Sequence, residues 1–323
     1  MQPSEGLCWS RVKSCGALYA QKLYGHGDDL YAMAADPTGR FVASACVART
    51  APAAAVWMWD ARTWHPVGQL EGPSLTVTQL RFSRSGRLLV AAGRDRSVHL
   101  YARRAAGSET ASGCPWRHVA AASKAHLRVV WSADVSHDDA LVASAARDGT
   151  VKVWAAGSEA WDGETGPGAL REVCSLPQRD ASVTAVAWAP GTAGAEAYIL
   201  GVATEAGAVE VWSVPMSSQG PQTAMLWQAE VRARACVCMQ RAHLCGGGVA
   251  RRCSAGTSCV RGRRCHEPSS TTRLWSVQGF ARHAGPVKRL AWTRDPEHAS
   301  AYLLASCGAD HGVRVFLVRV PSA

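Results

Sequence analysis

The stretch "VRARACVCMQRAHLCGGGVARRCSAGTSCVRGRRCHEP", residues 231–268, concentrates the residue types that do chemistry. It carries six of the chain's 12 cysteines (Cys236, Cys238, Cys245, Cys253, Cys259 and Cys265), two histidines and eight arginines against one acid, Glu267. Thiolates and imidazoles are zinc ligands, and clustered arginines meet phosphates. The spacing argues against zinc, because structural sites take paired ligands such as C-x2-4-C on tight knuckles. Here a C-x-C pair is followed by irregular gaps, with His243 and His266 placed without pattern. A disulfide framework is disfavoured in a reducing compartment. No metal ligand set is assigned.

A second constellation recurs along the chain. His126, Ser144, Asp148 and Trp154 follow one another at intervals that His283, Ser306, Asp310 and Phe316 nearly repeat. A His beside an Asp could act as a general base. The bland reading is stronger: a carboxylate beside a tight turn needs hydrogen-bond donors, and His and Ser supply them. The set fades elsewhere, since Asp95 has no matching upstream His and Ala206 stands at the Asp position of its unit. With no Gly-rich phosphate loop and no CxxC pair, no catalytic or cofactor-binding residue is expected. These residues are read as structural tetrads.

The elements that position them form a repeat. "AHLRVVWSADVSHDDALVASAARDGTVKVW" is the clearest copy; others are "SLTVTQLRFSRSGRLLVAAGRDRSVHLY", "ASVTAVAWAPGTAGAEAYILGVATEAGAVEVW" and "HAGPVKRLAWTRDPEHASAYLLASCGADHGVRVF". The earliest, from Gly25 to Asp60, replaces its tight turn by an Ala-rich loop. Short Val-, Leu- and Trp-rich runs bounded by Gly, Asp and Ser predict strands. The first strands begin near Leu30, Val77, Val129, Val183 and Val287, at spacings of 47, 52, 54 and 104 residues. Four-stranded propeller blades repeat at about 40–45 residues, leaving room for long loops. The doubled last spacing marks residues 230–272 as an insertion; excising those 43 residues leaves 61. "LWSVQGF" then reads as an outer strand leading into His283.

These units resemble WD40 repeats, with Trp59–Asp60 the literal "WD" at a strand end. The order and wording of "QKLYGHGDDLYAMAAD", "VASAC", "SLTVTQLRFS", "AAGRDRSVHLY", "VVWSADVSHD", "ASAARDGTVKVW" and "LASCGADHGVRVF" are similar to the second half of the Elongator complex subunit 2 family. The resemblance implies an all-β WD40 β-propeller: about five four-stranded blades of a second seven-bladed propeller, with a disordered insertion. It implies a non-catalytic scaffold supporting wobble-uridine modification of tRNA. Its partners would be the large scaffold subunit and the catalytic subunit of Elongator, with direct tRNA contact as the alternative. A generic WD40 adaptor in another complex is the fallback.

On this reading residues 1–17 are unassigned, 18–229 hold about four blades, 230–272 the Arg/Cys-rich insertion and 273–323 the final blade. Absence of the first propeller, with few blades in the second, leads us to expect an incomplete or mispredicted gene product. A retained intron would account for the insertion.

Composition sets the remaining bounds. Hydrophobic residues make up 47% and charged residues 19%, the balance of a globular chain. No apolar run is long enough to span a bilayer and no secretory leader is evident, so a cytoplasmic location is expected, with the nucleus second. No membrane contact and no small-molecule substrate are expected. The net charge of +10 lies mostly in residues 231–268, so it does not describe the whole surface. Turns alternate between the two faces of a blade, which places Arg94, Arg96, Arg128 and Arg147 on one rim. Arginines there can fork onto a partner's carboxylates or RNA phosphates, or stay solvated beside the adjacent turn aspartates.

Overall fold

The computed structural model describes residues 22–104, 114–156, 168–193, 197–215, 231–233, 272–276, 282–296 and 301–319. Among the described residues strand follows strand, with one helical turn, α1 (Ala51–Ala54), in the Ala-rich loop. The first sheet comprises β1 (Leu30–Ala35), β2 (Phe41–Cys46), β3 (Val56–Asp60) and β4 (Pro66–Leu70). The second comprises β5 (Val77–Phe82), β6 (Leu88–Gly93), β7 (Val98–Arg103) and β8 (Trp116–Ala122). Then come β9 (Val130–Val135), β10 (Leu141–Ala146), β11 (Val151–Ala155), β12 (Gly168–Ala169) and β13 (Arg171–Ser175). The third sheet takes β9, β10, β11 and β13, while β12 crosses to pair in parallel with β8.

The last two sheets are built less locally. They draw on β14 (Val183–Ala193), β15 (Ala197–Thr204), β16 (Val209–Pro215), β17 (Val231–Ala233), β18 (Thr272–Ser276), β19 (Val287–Arg294), β20 (Ala301–Gly308) and β21 (Val313–Arg319). The fourth sheet runs β14-β15-β16-β18, which makes the "LWS" segment an outer strand. The fifth runs β19-β20-β21-β17, so the opening residues of the Arg/Cys run pair with β21. Within 230–272, Val231–Ala233 and Thr272 are thus strand residues; the six cysteines of that segment lie outside the described residues.

Turn chemistry explains why each strand stops where it does. The first hairpin turns of the first three blades place Gly39, Gly86 and Asp139 at φ of 71°, 69° and 65°. Gly and Asp tolerate this left-handed region best, and each closes a tight reversal. The next turns use Arg96, Gly149, Gly207 and His311 in the same region.

The inner strands β1, β5, β9, β14 and β19 pack in succession, forming an arc of five blades. Four apolar layers fill the interfaces, including Phe41, Met58 and Tyr101 in the first and Leu304 and Phe316 in the last. Burying such side chains contributes about 1.5–3 kcal/mol each. Polar links also cross between blades. Arg81 of β5 reaches Asp134 of β9 at 3.0 Å, and Asp134 accepts the Trp188 backbone N–H of β14 at 2.8 Å. At the ends of the arc β1 exposes Leu30, Tyr31 and Met33, and β21 exposes Val313 and Val315. No helix among the described residues is long and apolar enough to cross a membrane.

Candidate functional site

The predicted tetrads lie at the base of one face, where they anchor the turns that display the rim. In the third blade His126 sits in the connection before β9, Ser144 on β10, Asp148 in the following turn and Trp154 on β11. The Trp154 indole N–H donates to Ser144 Oγ at 2.9 Å, and Ser144 lies 2.7 Å from His126 Nε2. His126 Nδ1 is 2.8 Å from Thr150 Oγ1, which donates to Asp148 at 2.5 Å. Every polar atom is satisfied if Nδ1 carries the imidazole proton and Ser144 donates to Nε2. The relay therefore includes Thr150, and His126 stands 3.8 Å from the carboxylate. Burial pushes the His126 pKa down to about 4, against the opposing pull of Asp148.

In the fifth blade the contact is direct: His283 lies 2.7 Å from Asp310 and 2.8 Å from Ser306. Phe316 stands opposite Leu304, as Trp154 stands opposite Val142, so it fills the tryptophan's place without a donor. Arg314 adds a 2.9 Å ion pair to Asp310. Burial would raise the Asp310 pKa, but hydrogen bonds from His283, Ala284 N, Arg314 and Gly312 N hold the carboxyl below the usual range.

Three staples escaped the sequence reading. In the first blade Trp59 donates to Ser44 at 2.7 Å, and Ser44 lies 2.7 Å from His26 Nε2. The Ala-rich loop supplies no turn aspartate, and among the described residues His26 Nδ1 is buried without a partner. The "GH" before β1 and the shared "VAS" motif were the signal.

In the second blade the position matching His126 holds no histidine, as expected, yet Asp95 still meets one. Asp95 accepts from Ser74 N just as Asp148 accepts from Leu127 N, so Pro73 occupies the His126 position. His99 enters instead from β7, 3.8 Å from Asp95, 2.8 Å from Ser97 and 3.2 Å from His118. In the fourth blade Arg179 takes the histidine's place: its N–H bonds Gly149 O, as the His283 N–H bonds Gly207 O. Its guanidinium reaches Glu210 on β16 at 2.7 Å, and Trp212 donates to the same carboxylate at 2.8 Å.

A single register position explains both replacements. His99 pairs across the sheet with Ala91, and Glu210 with Val202, as Lys152 pairs with Ser144. Where the second strand of a blade loses its serine, the residue opposite on the third strand turns into the staple.

The four predicted rim arginines are all exposed on this face. Their turns are pinned from below: Arg94 N bonds Thr76 O, and Arg147 N bonds Val129 O. Arg96 O accepts the His126 N–H across the blade boundary. The adjacent aspartates are occupied by backbone N–H groups, Asp95 by Ser74 and Ser97, Asp148 by Leu127 and Thr150. Among the described residues no ion pair ties up Arg94, Arg96, Arg128 or Arg147. Leu127, 80% exposed, stands beside Arg128. The arrangement presents exposed cations on pinned turns.

The model for the WD domain, G-beta repeat matches residues 18–51, 64–101 and 119–155, within the first three blades. Curated relatives extend the match further along the chain. Elongator complex protein 2 of Arabidopsis thaliana is 28% identical over 92% of this chain and 29% of its own length. The Dictyostelium discoideum protein of the same name is 27% identical over 92% of the chain and 28% of its length. That of Schizosaccharomyces pombe is 34% identical over 60% of the chain and 24% of its length. The chain spans less than a third of the length of these relatives. The chain carries WD40 repeats and is similar to Elongator complex protein 2.

Proposed function

We propose that this WD40-repeat chain is a non-catalytic scaffold of the Elongator complex, binding other subunits through its turn-bearing rim. Through that contact it supports wobble-uridine modification of tRNA, the chemistry residing in another subunit. The observation that carries the reading is the rim itself: Arg94, Arg96, Arg128 and Arg147 are exposed, with their neighbouring aspartates already saturated by backbone donors. A cation held on a pinned turn and lacking an internal partner is ready to fork onto an external carboxylate. The similarity to Elongator complex protein 2 supports the choice of complex.

The same cations suit RNA phosphates, which makes direct tRNA contact the second reading. Glutamate substitutions at Arg94, Arg96 and Arg147 separate the two. The scaffold reading expects loss of co-purification with the other Elongator subunits. Intact assembly with weaker, salt-sensitive tRNA binding would select the RNA reading instead.

A further inference from the structure

The opposite face of the arc holds a feature the rim does not explain. Where the inner strands of the first four blades converge, they border a half-open cavity of about 320 Å³. Met33, Leu80, Phe82 and Val135 contribute to its lining, but the exposed surface is mainly polar, and two cations, Arg81 and Arg84, line it. The one carboxylate on the lining, Asp134, is spent: one oxygen takes Arg81 Nε at 3.0 Å and the other the Trp188 backbone N–H at 2.8 Å.

That ion pair orients Arg81. Nε is committed to Asp134, while the side chain stays 44% exposed. Arg84 is exposed in the adjoining hairpin turn, with no ion pair among the described residues. The cavity thus has a mainly polar, net positive lining, with one guanidinium oriented before any ligand arrives. A pre-oriented guanidinium favours planar or tetrahedral oxyanions.

We propose that this cavity binds a phosphate group, held by Arg81 and Arg84. The phosphate could come from a free nucleotide or from a nucleic-acid backbone, and the chemistry of recognition is shared. The site stands apart from the scaffold reading, which uses the opposite rim.

Calorimetric titration of the purified chain with ATP, inorganic pyrophosphate, a short oligoribonucleotide and neutral adenosine tests it. ATP or pyrophosphate should bind and adenosine should not, with Arg84→Ala weakening binding about tenfold or more. Arg84 is exposed, so that variant keeps its fold, and an unchanged melting temperature checks this. Arg81→Lys retains a charge for Asp134 but loses the fork, and should weaken binding similarly. Arg84-dependent binding of the oligoribonucleotide alone assigns the phosphate to a nucleic acid; binding of ATP or pyrophosphate alone assigns it to a free ligand. Binding of none of the three, or binding indifferent to Arg84→Ala and Arg81→Lys, overturns the proposal.

Discussion

Arg179 and Glu210 form a 2.7 Å ion pair in the fourth blade, both side chains less than a tenth exposed, at the place where the third blade uses His126 and Ser144. The guanidinium also lies over the Trp212 ring at 5.1 Å. A buried pair of this kind is costly to break, because the survivor keeps its charge out of water. Arg179→Met is therefore expected to destabilise the protein by about 3–5 kcal/mol. Adding Glu210→Gln should recover part of that loss. Urea unfolding of both variants checks it, and a double variant no better than the single one would contradict the pairing.

Ser144 is the hub of its staple, serving Trp154 and His126 together, whereas Ser306 serves His283 beside a phenylalanine. Leaving a buried polar atom without a partner costs about 1–3 kcal/mol. Ser144→Ala should accordingly cost more than Ser306→Ala, by roughly the penalty for one orphaned group. Equal losses in denaturant titrations would show that the Trp154 bond contributes nothing.

Gly149 and Gly39 both have positive φ, 81° and 71°, but differ in surroundings. An added Cβ at Gly149 would collide with the Arg179 carbonyl oxygen, while at Gly39 it would meet open space. Gly39→Ala should cost about 1–2 kcal/mol from backbone strain alone. Gly149→Ala adds a steric clash at a blade boundary, and a drop in melting temperature clearly larger than for Gly39→Ala is expected.

Acid should weaken the fold before it titrates the carboxylates. Burial lowers the pKa of both His118 and His126 to about 4, below the ordinary 6.5. The unfolded chain then binds more protons than the native one between those values, so stability is full above pH 6.5 and falls as pH drops toward 4. Asp95 and Asp310 are held below the usual carboxylate range by their hydrogen bonds, so their contribution is lost only at still lower pH. The urea midpoint should fall between pH 7 and 4.5, and His118→Gln should flatten the slope. A midpoint constant across that range would rule out the buried neutral histidines.

The inner architecture was legible because it is local. Strand starts expected near Leu30, Val77, Val129, Val183 and Val287 fall within one residue of β1, β5, β9, β14 and β19. Alternating apolar residues and tight turns such as "SRSGR" carry that information within a few positions. The His126 and His283 staples were legible for the same reason, each a repeated word at a fixed interval.

What the sequence by itself determined, then, is the repeated three-strand unit and the residues that pin its turns. Tertiary structure decided the last outer strand and the substitute staples, whereas the outer strand in "LWSVQGF" was already legible. Val231–Ala233 pairs with β21, although some eighty residues separate them. Backbone hydrogen bonds recruit any segment that arrives at an open edge, so its side chains need not announce the pairing. His99 and Glu210 were hidden for a related reason. Their role depends on which residue lies across the sheet, Ala91 or Val202, and that opposition exists only once the strands are in register.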